Sequence, residues 1–218
     1  MTSIVFDLDG TLVDSAPDIH AAANRMLSDE GLAPLDLETV TSFIGNGIPN
    51  LVGLLMRARG ISADRHSVMV ERMMDHYSAR ATELTRPYPG VPQALERLRS
   101  AGYRLGVCTN KFKAPAVQIL NALDLGQFFD VVVGGDSLSV KKPDPAPLRL
   151  AFERMGDGIH AYVGDSEVDA ETAQAAGVAF ALFTEGYRKS PADTLPHTFL
   201  FNDFNDLPEM MQHLKGAA

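Results

Sequence analysis

The sequence predicts an α/β fold: a Rossmann-like core whose parallel sheet carries helices on both faces, with an all-helical cap inserted after the first strand. Three observations predict it. Short apolar runs alternate with amphipathic helical patterns along most of the chain, and such alternation builds a parallel sheet covered on both sides. One stretch, from residue 16 to about residue 85, breaks the alternation and holds only helical patterns. Several of the apolar runs end in an acid, a hydroxyl or a glycine, at the sheet edge where an open α/β fold binds its ligands.

In chain order, the first strand is expected at residues 4–8. Helical patterns follow at 17–30, 36–43, 48–59 and 63–84. In the first of these, Ser15 is the expected N-cap and Pro17 lies in the first turn, while Ile19, Ala22, Ala23, Met26 and Leu27 make one apolar stripe. Arg86-Pro87-Tyr88-Pro89-Gly90 is expected to be a stiff, turn-rich linker back to the core. The expected division is therefore 1–15 with 86–218 as the core and 16–85 as the cap. Further strands are expected at 103–109, 130–134, 161–164 and 180–183, with a weaker one at 198–201. Helices are expected at 91–101, 115–125, 145–155 and 168–176, each stopped by a glycine. A final helix is expected at 206–214, and Gly216-Ala217-Ala218 is expected to be disordered.

Composition narrows the function classes. The chain has 218 residues, 45% hydrophobic and 22% charged, enough for an ordinary core. Its formal net charge of −9 argues against a nucleic-acid partner. No run of about 18 apolar residues is present, so no membrane span is expected. Met1-Thr2-Ser3 carries no basic region and Asp7 interrupts the next apolar run, so no export signal is expected. The single cysteine, Cys108, has no partner for a disulfide within the chain, which suits a reducing cytoplasm. Set in an apolar run, it reads as a buried structural thiol. A monomer or a homodimer is expected.

Four segments carry chemistry. Asp7 and Asp9 stand two apart at the end of the first expected strand, where alternation would put both on one face. Gly10-Thr11 follows and allows a tight turn with backbone N–H groups free to face an anion. Thr109-Asn110 ends the next core strand, placed either to bind a phosphate oxygen or to cap a helix. Lys142 precedes Pro143, which restrains its backbone, and offers a compact positive charge; its neighbour Lys141 reads as solvated. Asp165 ends another strand, and Asp169 falls one turn into the helix that follows. Taken singly, these acids also read as helix caps. Together they place carboxylates, a hydroxyl and a lysine on one sheet edge. Magnesium prefers such oxygen ligands, one or two carboxylates with a substrate phosphate.

These elements resemble, in order and across nearly the whole chain, the four motifs of the haloacid dehalogenase superfamily. Asp7-Leu8-Asp9-Gly10-Thr11-Leu12 resembles the first, Thr109 the second, Lys142 the third, and Gly164-Asp165-Ser166 with Asp169 the fourth. The helical insert resembles that superfamily's alpha-helical cap. The resemblance implies a magnesium-dependent phosphatase in which Asp7 attacks phosphorus and forms an acyl phosphate. Asp9 would protonate the leaving alcohol and then activate water. Magnesium would be held by Asp7, by the Asp9 backbone carbonyl and by Asp165, with Asp169 orienting them. Thr109, the Asn110 backbone, Gly10 and Lys142 would hold the phosphoryl group. The superfamily's dehalogenases lack an acid two residues after the nucleophile, so Asp9 implies phosphate esters. A finer resemblance is to phosphoglycolate phosphatases, through Phe43-Ile44-Gly45-Asn46-Gly47, Thr109-Asn110-Lys111 and Gly134-Gly135-Asp136-Ser137. Gly45 and Asn46 would then meet the substrate's carboxylate, or simply turn the chain between two cap helices. Relatives act on sugar phosphates such as N-acetylmuramate 6-phosphate, and a phosphosugar mutase shares the motifs. A receiver-like signalling domain also phosphorylates a strand-end aspartate, but it has neither Asp9 nor the insert.

Overall fold

The computed structural model describes residues 2–156 and 158–216. Its elements in chain order are β1 (Thr2–Phe6), β2 (Val13–Asp14), α1 (Ala16–Asp29), α2 (Leu37–Thr41), α3 (Ile48–Arg59), α4 (His66–Ser78) and β3 (Arg86–Pro87). They continue as α5 (Val91–Ser100), β4 (Arg104–Cys108), α6 (Lys113–Ala122), β5 (Val131–Val133), α7 (Ala146–Met155) and β6 (Ile159–Gly164). The chain closes with α8 (Glu167–Ala176), β7 (Ala179–Phe183), β8 (Phe199–Phe201) and α9 (Leu207–Gly216). Six strands form one sheet in the order β5-β4-β1-β6-β7-β8, every pair parallel. The fold class read from the sequence is the observed one.

Strand alternation splits the interior in two. Ile4 and Phe6 of β1 point into the larger core with residues of α5, α6 and α9, while Val5 points to the opposite face against α7 and α8. The apolar stripes of α1 to α4 join that larger core, so the helical insert and the sheet share one continuous packed interior. Leaving β1, the chain turns toward β4; leaving β6, it turns the other way, toward β7. The carboxyl ends of β1 and β6 therefore flank the point where the strand order reverses, the usual ligand crevice of such sheets. Among the described residues, no helix is long and apolar enough to cross a membrane.

Several local expectations are corrected. The first strand stops at Phe6, so Asp7 and Asp9 do not share a strand face. The Leu8 carbonyl accepts the N–H groups of Thr11, Leu12 and Val13, and Gly10 at φ +88° turns the chain sharply; the Gly10 N–H goes to the Val13 carbonyl, so the N–H groups of Gly10 and Thr11, expected to be free to face an anion, are both held within the turn. Asp7 keeps one sheet bond, from its N–H to the Val163 carbonyl. Ser15 stands at the N-cap of α1 as expected, but its side chain makes no capping bond: its hydroxyl goes to Asp9, and the Tyr187 phenol accepts the N–H groups of Ser15 and Ala16. The fourth cap helix ends at Ser78, because the buried Asp18 carboxylate draws in the N–H groups of Leu84 and Thr85. Arg86–Pro87 is a short strand paired antiparallel with Val13–Asp14 rather than a free linker. The sixth helix ends at Ala122, before Gly126, where Asp124 takes φ 56° and Leu125 N–H reaches back to the Leu120 carbonyl. Gly216, expected to be disordered, closes α9; Ala217 and Ala218 lie outside the described residues.

Candidate active site

Four strand ends bring the chemistry-bearing residues together. Asp7 follows β1, Thr109 and Asn110 follow β4, Lys142 stands in the loop after β5, and Asp165 follows β6. All five side chains are buried. Lys142 is the electrostatic centre. Its Nζ lies 3.0 Å from Asp7 Oδ1 and 2.7 Å from Asp169 Oδ1, and it donates to the Tyr162 hydroxyl at 2.8 Å. Tyr162 in turn donates to Asp169 at 2.7 Å. Burial disfavours charge on Lys142, but Asp169 and Asp7 outweigh it and hold the ammonium well above its ordinary value.

Asp7, Asp165 and Asp169 each offer an oxygen within 4.8 Å of the others. Their environments differ. Asp169 is saturated: Lys142 and Tyr162 hold one oxygen, and the Ser166 hydroxyl donates to the other at 2.6 Å. The Ser166 N–H reaches that same oxygen and the Asp169 N–H reaches Ser166 Oγ, the capping box of α8. Burial alone would raise its pKa, but the Lys142 charge prevails and the group stays below the usual carboxylate range. Burial pushes Asp7 up to about 7, against the pull of Lys142. Burial, then the charges of Asp169 and Asp7, push Asp165 well above its ordinary value. Asp7 and Asp165 also face a common cavity, whereas Asp169 does not line it. Three buried carboxylates against one ammonium leave uncompensated negative charge, and the oxygen-only donor set suits a hard divalent cation. Asp7 and Asp165 are the two carboxylates that could hold it, with Asp169 supporting from behind.

Asp165 is set in a tight cage. Thr11 donates to Oδ1 at 2.7 Å and the Tyr187 N–H to Oδ2 at 2.6 Å. A Cβ on Gly10 would lie 2.5 Å from Oδ2, and one on Gly186 would lie 2.3 Å from the Asp165 Cβ. Both positions need glycine because the chain passes against this carboxylate.

Asp9, just before the Gly10 turn, lies on the same cavity. Ser15 Oγ donates to its Oδ1 at 2.5 Å, and Lys111 Nζ lies 2.9 Å from each of its oxygens. Thr109 is oriented by its N–H to the Val133 carbonyl, and its hydroxyl accepts the Lys111 N–H at 3.2 Å. Asn110 donates from Nδ2 to the carbonyls of Gly45 and Lys142, tying the Gly45–Asn46 turn to the sheet edge. Lys141, expected to be solvated, is exposed but donates to the Asn46 carbonyl at 2.7 Å. Gly45 and Asn46 close the cavity from the cap side, leaving about 30 Å³, room for a water or two. Gly10, Gly45, Asn46, Asp7, Asp9, Asp165, Asp169, Thr109, Asn110 and Lys142 thus converge on one sheet edge. The sequence placed none of Lys111, Ser15 and Tyr187 in the site; Ser15 was expected only as the N-cap of α1. For Lys111 a signal existed: a lysine two residues past Thr109, at the end of the same strand.

The family model described as haloacid dehalogenase-like hydrolase matches residues 4–183. A protein of Cereibacter sphaeroides named phosphoglycolate phosphatase is 53% identical over 98% of this chain and 99% of its own. One of the same name from Rhodobacter capsulatus is 41% identical over 96% of each. A crystal structure described as that of a predicted phosphoglycolate phosphatase from Haemophilus somnus superposes with a TM-score of 0.92. It shares 32% identity and covers 96% of this chain and 97% of that one.

Proposed function

The chain belongs to the haloacid dehalogenase-like hydrolases, and from that footing we propose that it is a magnesium-dependent phosphatase that hydrolyses 2-phosphoglycolate to glycolate and phosphate. One observation carries the reading: buried Asp7 lies 3.0 Å from the Lys142 ammonium and faces the same cavity as Asp9. That pairing sets a nucleophile, a charge for the incoming phosphate and a proton-transfer group side by side. The relatives named phosphoglycolate phosphatase, matched along nearly their whole length, support the substrate. Magnesium is the cation we assign, because it keeps few protein carboxylates and completes its shell with water and phosphate.

Asp7 attacks phosphorus; the bond to the ester oxygen breaks and an acyl phosphate forms on Asp7. Asp9 gives its proton to the departing oxygen, then takes one from the water that attacks the acyl phosphate, restoring Asp7. Lys142, the Thr109 hydroxyl and the backbone N–H groups beyond Asp7 neutralise and orient the phosphoryl oxygens. Asp169 holds Lys142 in place for this task. Asp7, Asp165 and the Asp9 carbonyl would hold magnesium, which when bound would supply charge stabilisation to the transferring group. The Gly45–Asn46 turn closes the cavity from the cap side, where it would keep bulk water from the acyl phosphate.

Phosphate release across a panel of phosphorylated metabolites tests the reading. We expect the highest kcat/KM for 2-phosphoglycolate, with sugar phosphates such as N-acetylmuramate 6-phosphate well below. A sugar phosphate that leads the panel would replace the substrate, and isomer interconversion without phosphate release would replace hydrolysis with a mutase.

A further inference from the structure

Lys111 is a buried ammonium to which the phosphoryl-transfer steps assign no task. Its side chain is 4% exposed, and its Nζ is 2.9 Å from both oxygens of Asp9. The ring of Tyr77, on cap helix α4, lies 4.7 Å from the same nitrogen. A lysine leaves water only against a paired charge, so this placement ties core, cap and Asp9 together. All of these contacts to Asp9 come from donors, Lys111 and Ser15.

The leaving oxygen must approach Asp9 to within about 3 Å to take a proton. In 2-phosphoglycolate the carbon on that oxygen carries the carboxylate. Once Asp9 has given up its proton, it and the substrate's carboxylate are two negative groups within a few ångström of each other in a closed site, where repulsion is strong unless a cation lies between them. Lys142 is committed to Asp7 and Asp169. Lys189 lines the cavity, as Lys142 and Lys111 do not, but it is exposed and its charge is screened by water. Lys111 already stands at Asp9.

We propose that Lys111 is the receptor for the carboxylate of the leaving group, exchanging one of its Asp9 contacts for the substrate. The Tyr77 ring face keeps the ammonium in place during the exchange. The proposal rests on the reading of the chain as a phosphatase for a small phosphorylated acid. It makes Lys111 the residue that selects a charged leaving group over a neutral one of the same size.

The test compares three esters on the full-length, magnesium-loaded protein: 2-phosphoglycolate, 2-hydroxyethyl phosphate, which has a hydroxymethyl group in place of the carboxylate, and p-nitrophenyl phosphate, whose leaving group departs without a proton. Lys111→Met should lower kcat/KM for 2-phosphoglycolate about 100-fold. It should also slow 2-hydroxyethyl phosphate, because Asp9 loses its partner, but by about tenfold less, so that the ratio of the two alkyl esters falls; Lys111→Arg should recover part of the loss. Equal losses on 2-phosphoglycolate and 2-hydroxyethyl phosphate, with the aryl ester spared, would make Lys111 only a positioning residue for Asp9 and overturn the proposal. A retained preference for the acid in Lys111→Met, or its loss in Lys189→Met instead, would overturn it too. If Lys111→Met does not fold, the ratio of the two alkyl esters on Lys111→Gln decides: a fall supports the proposal and an unchanged ratio overturns it. A wild-type protein that hydrolyses the neutral esters but not 2-phosphoglycolate removes the substrate reading, and the proposal with it.

Discussion

At the scale of the residue, Asp7 keeps a proton that an ordinary aspartate would lose. Burial raises it from 3.8 to about 7, against the pull of Lys142. Between those two values the folded, metal-free protein binds a proton that the unfolded chain has released. By this group's share, stability therefore falls as pH rises from 3.8 to about 7 and is level above that. Asp7→Asn removes that share. In EDTA, wild type should lose more stability between about pH 4.5 and about pH 8 than the variant does, read as urea midpoints. An equal loss in both would mean that Asp7 does not bear the strain. The same variant should lower turnover roughly a thousandfold or more while staying folded; substantial residual activity would remove Asp7 as nucleophile. Asp7, Lys142 and Asp165 were legible in the sequence because each closes or follows an apolar run. Lys111 was legible only as a lysine two residues past Thr109; its pairing with Asp9, 102 residues away, was not, because no local pattern records it.

At the scale of the element, α1 begins under a distant side chain. Tyr187 accepts the N–H groups of Ser15 and Ala16 and donates to Asp14, while its own N–H holds Asp165. One residue thus links the first turn of the helical insert to a candidate metal ligand. Tyr187→Phe keeps the ring but leaves the Ser15 N–H without its acceptor and the Ala16 N–H with only Asp14 Oδ1 at 3.3 Å, at a cost of about 1–3 kcal/mol. We expect a lowered Tm and faster amide exchange confined to the start of α1; unchanged exchange there would show that water serves as well. The sequence placed a serine where an N-cap belongs, and the propensity was sound. Asp9, six residues back, won the hydroxyl, and the phenol took the vacated role. Helix centres and strand identities were legible from periodicity and glycine stops. Ends were less so where long-range bonds decide them, as when Asp18 draws Leu84 and Thr85 out of the fourth cap helix.

At the scale of the whole molecule, the acidic cluster and the sheet are one design. The reversal of strand order between β1 and β6 sets Asp7 and Asp165 face to face, and folding therefore concentrates like charge that a cation relieves. A cation binding only the folded state stabilises it by about 2.7 kcal/mol at a hundredfold excess over its Kd. Adding magnesium to chelated protein should therefore raise Tm and restore activity together, and EDTA should silence the enzyme. Activity indifferent to chelation would remove the metal from the account. The general architecture was legible because alternating apolar runs leave few other solutions. The pairing of Val13–Asp14 with Arg86–Pro87 at the base of the insert was not, because two-residue strands carry no periodicity.

The most direct measurement of the central claim is to quench the enzyme during turnover of 2-phosphoglycolate, reduce with borohydride and map the peptides. An acyl phosphate is reduced to the alcohol, so the account predicts homoserine at position 7 and at no other aspartate. Homoserine at Asp9 or Asp165, or none in an actively turning-over enzyme, would contradict it.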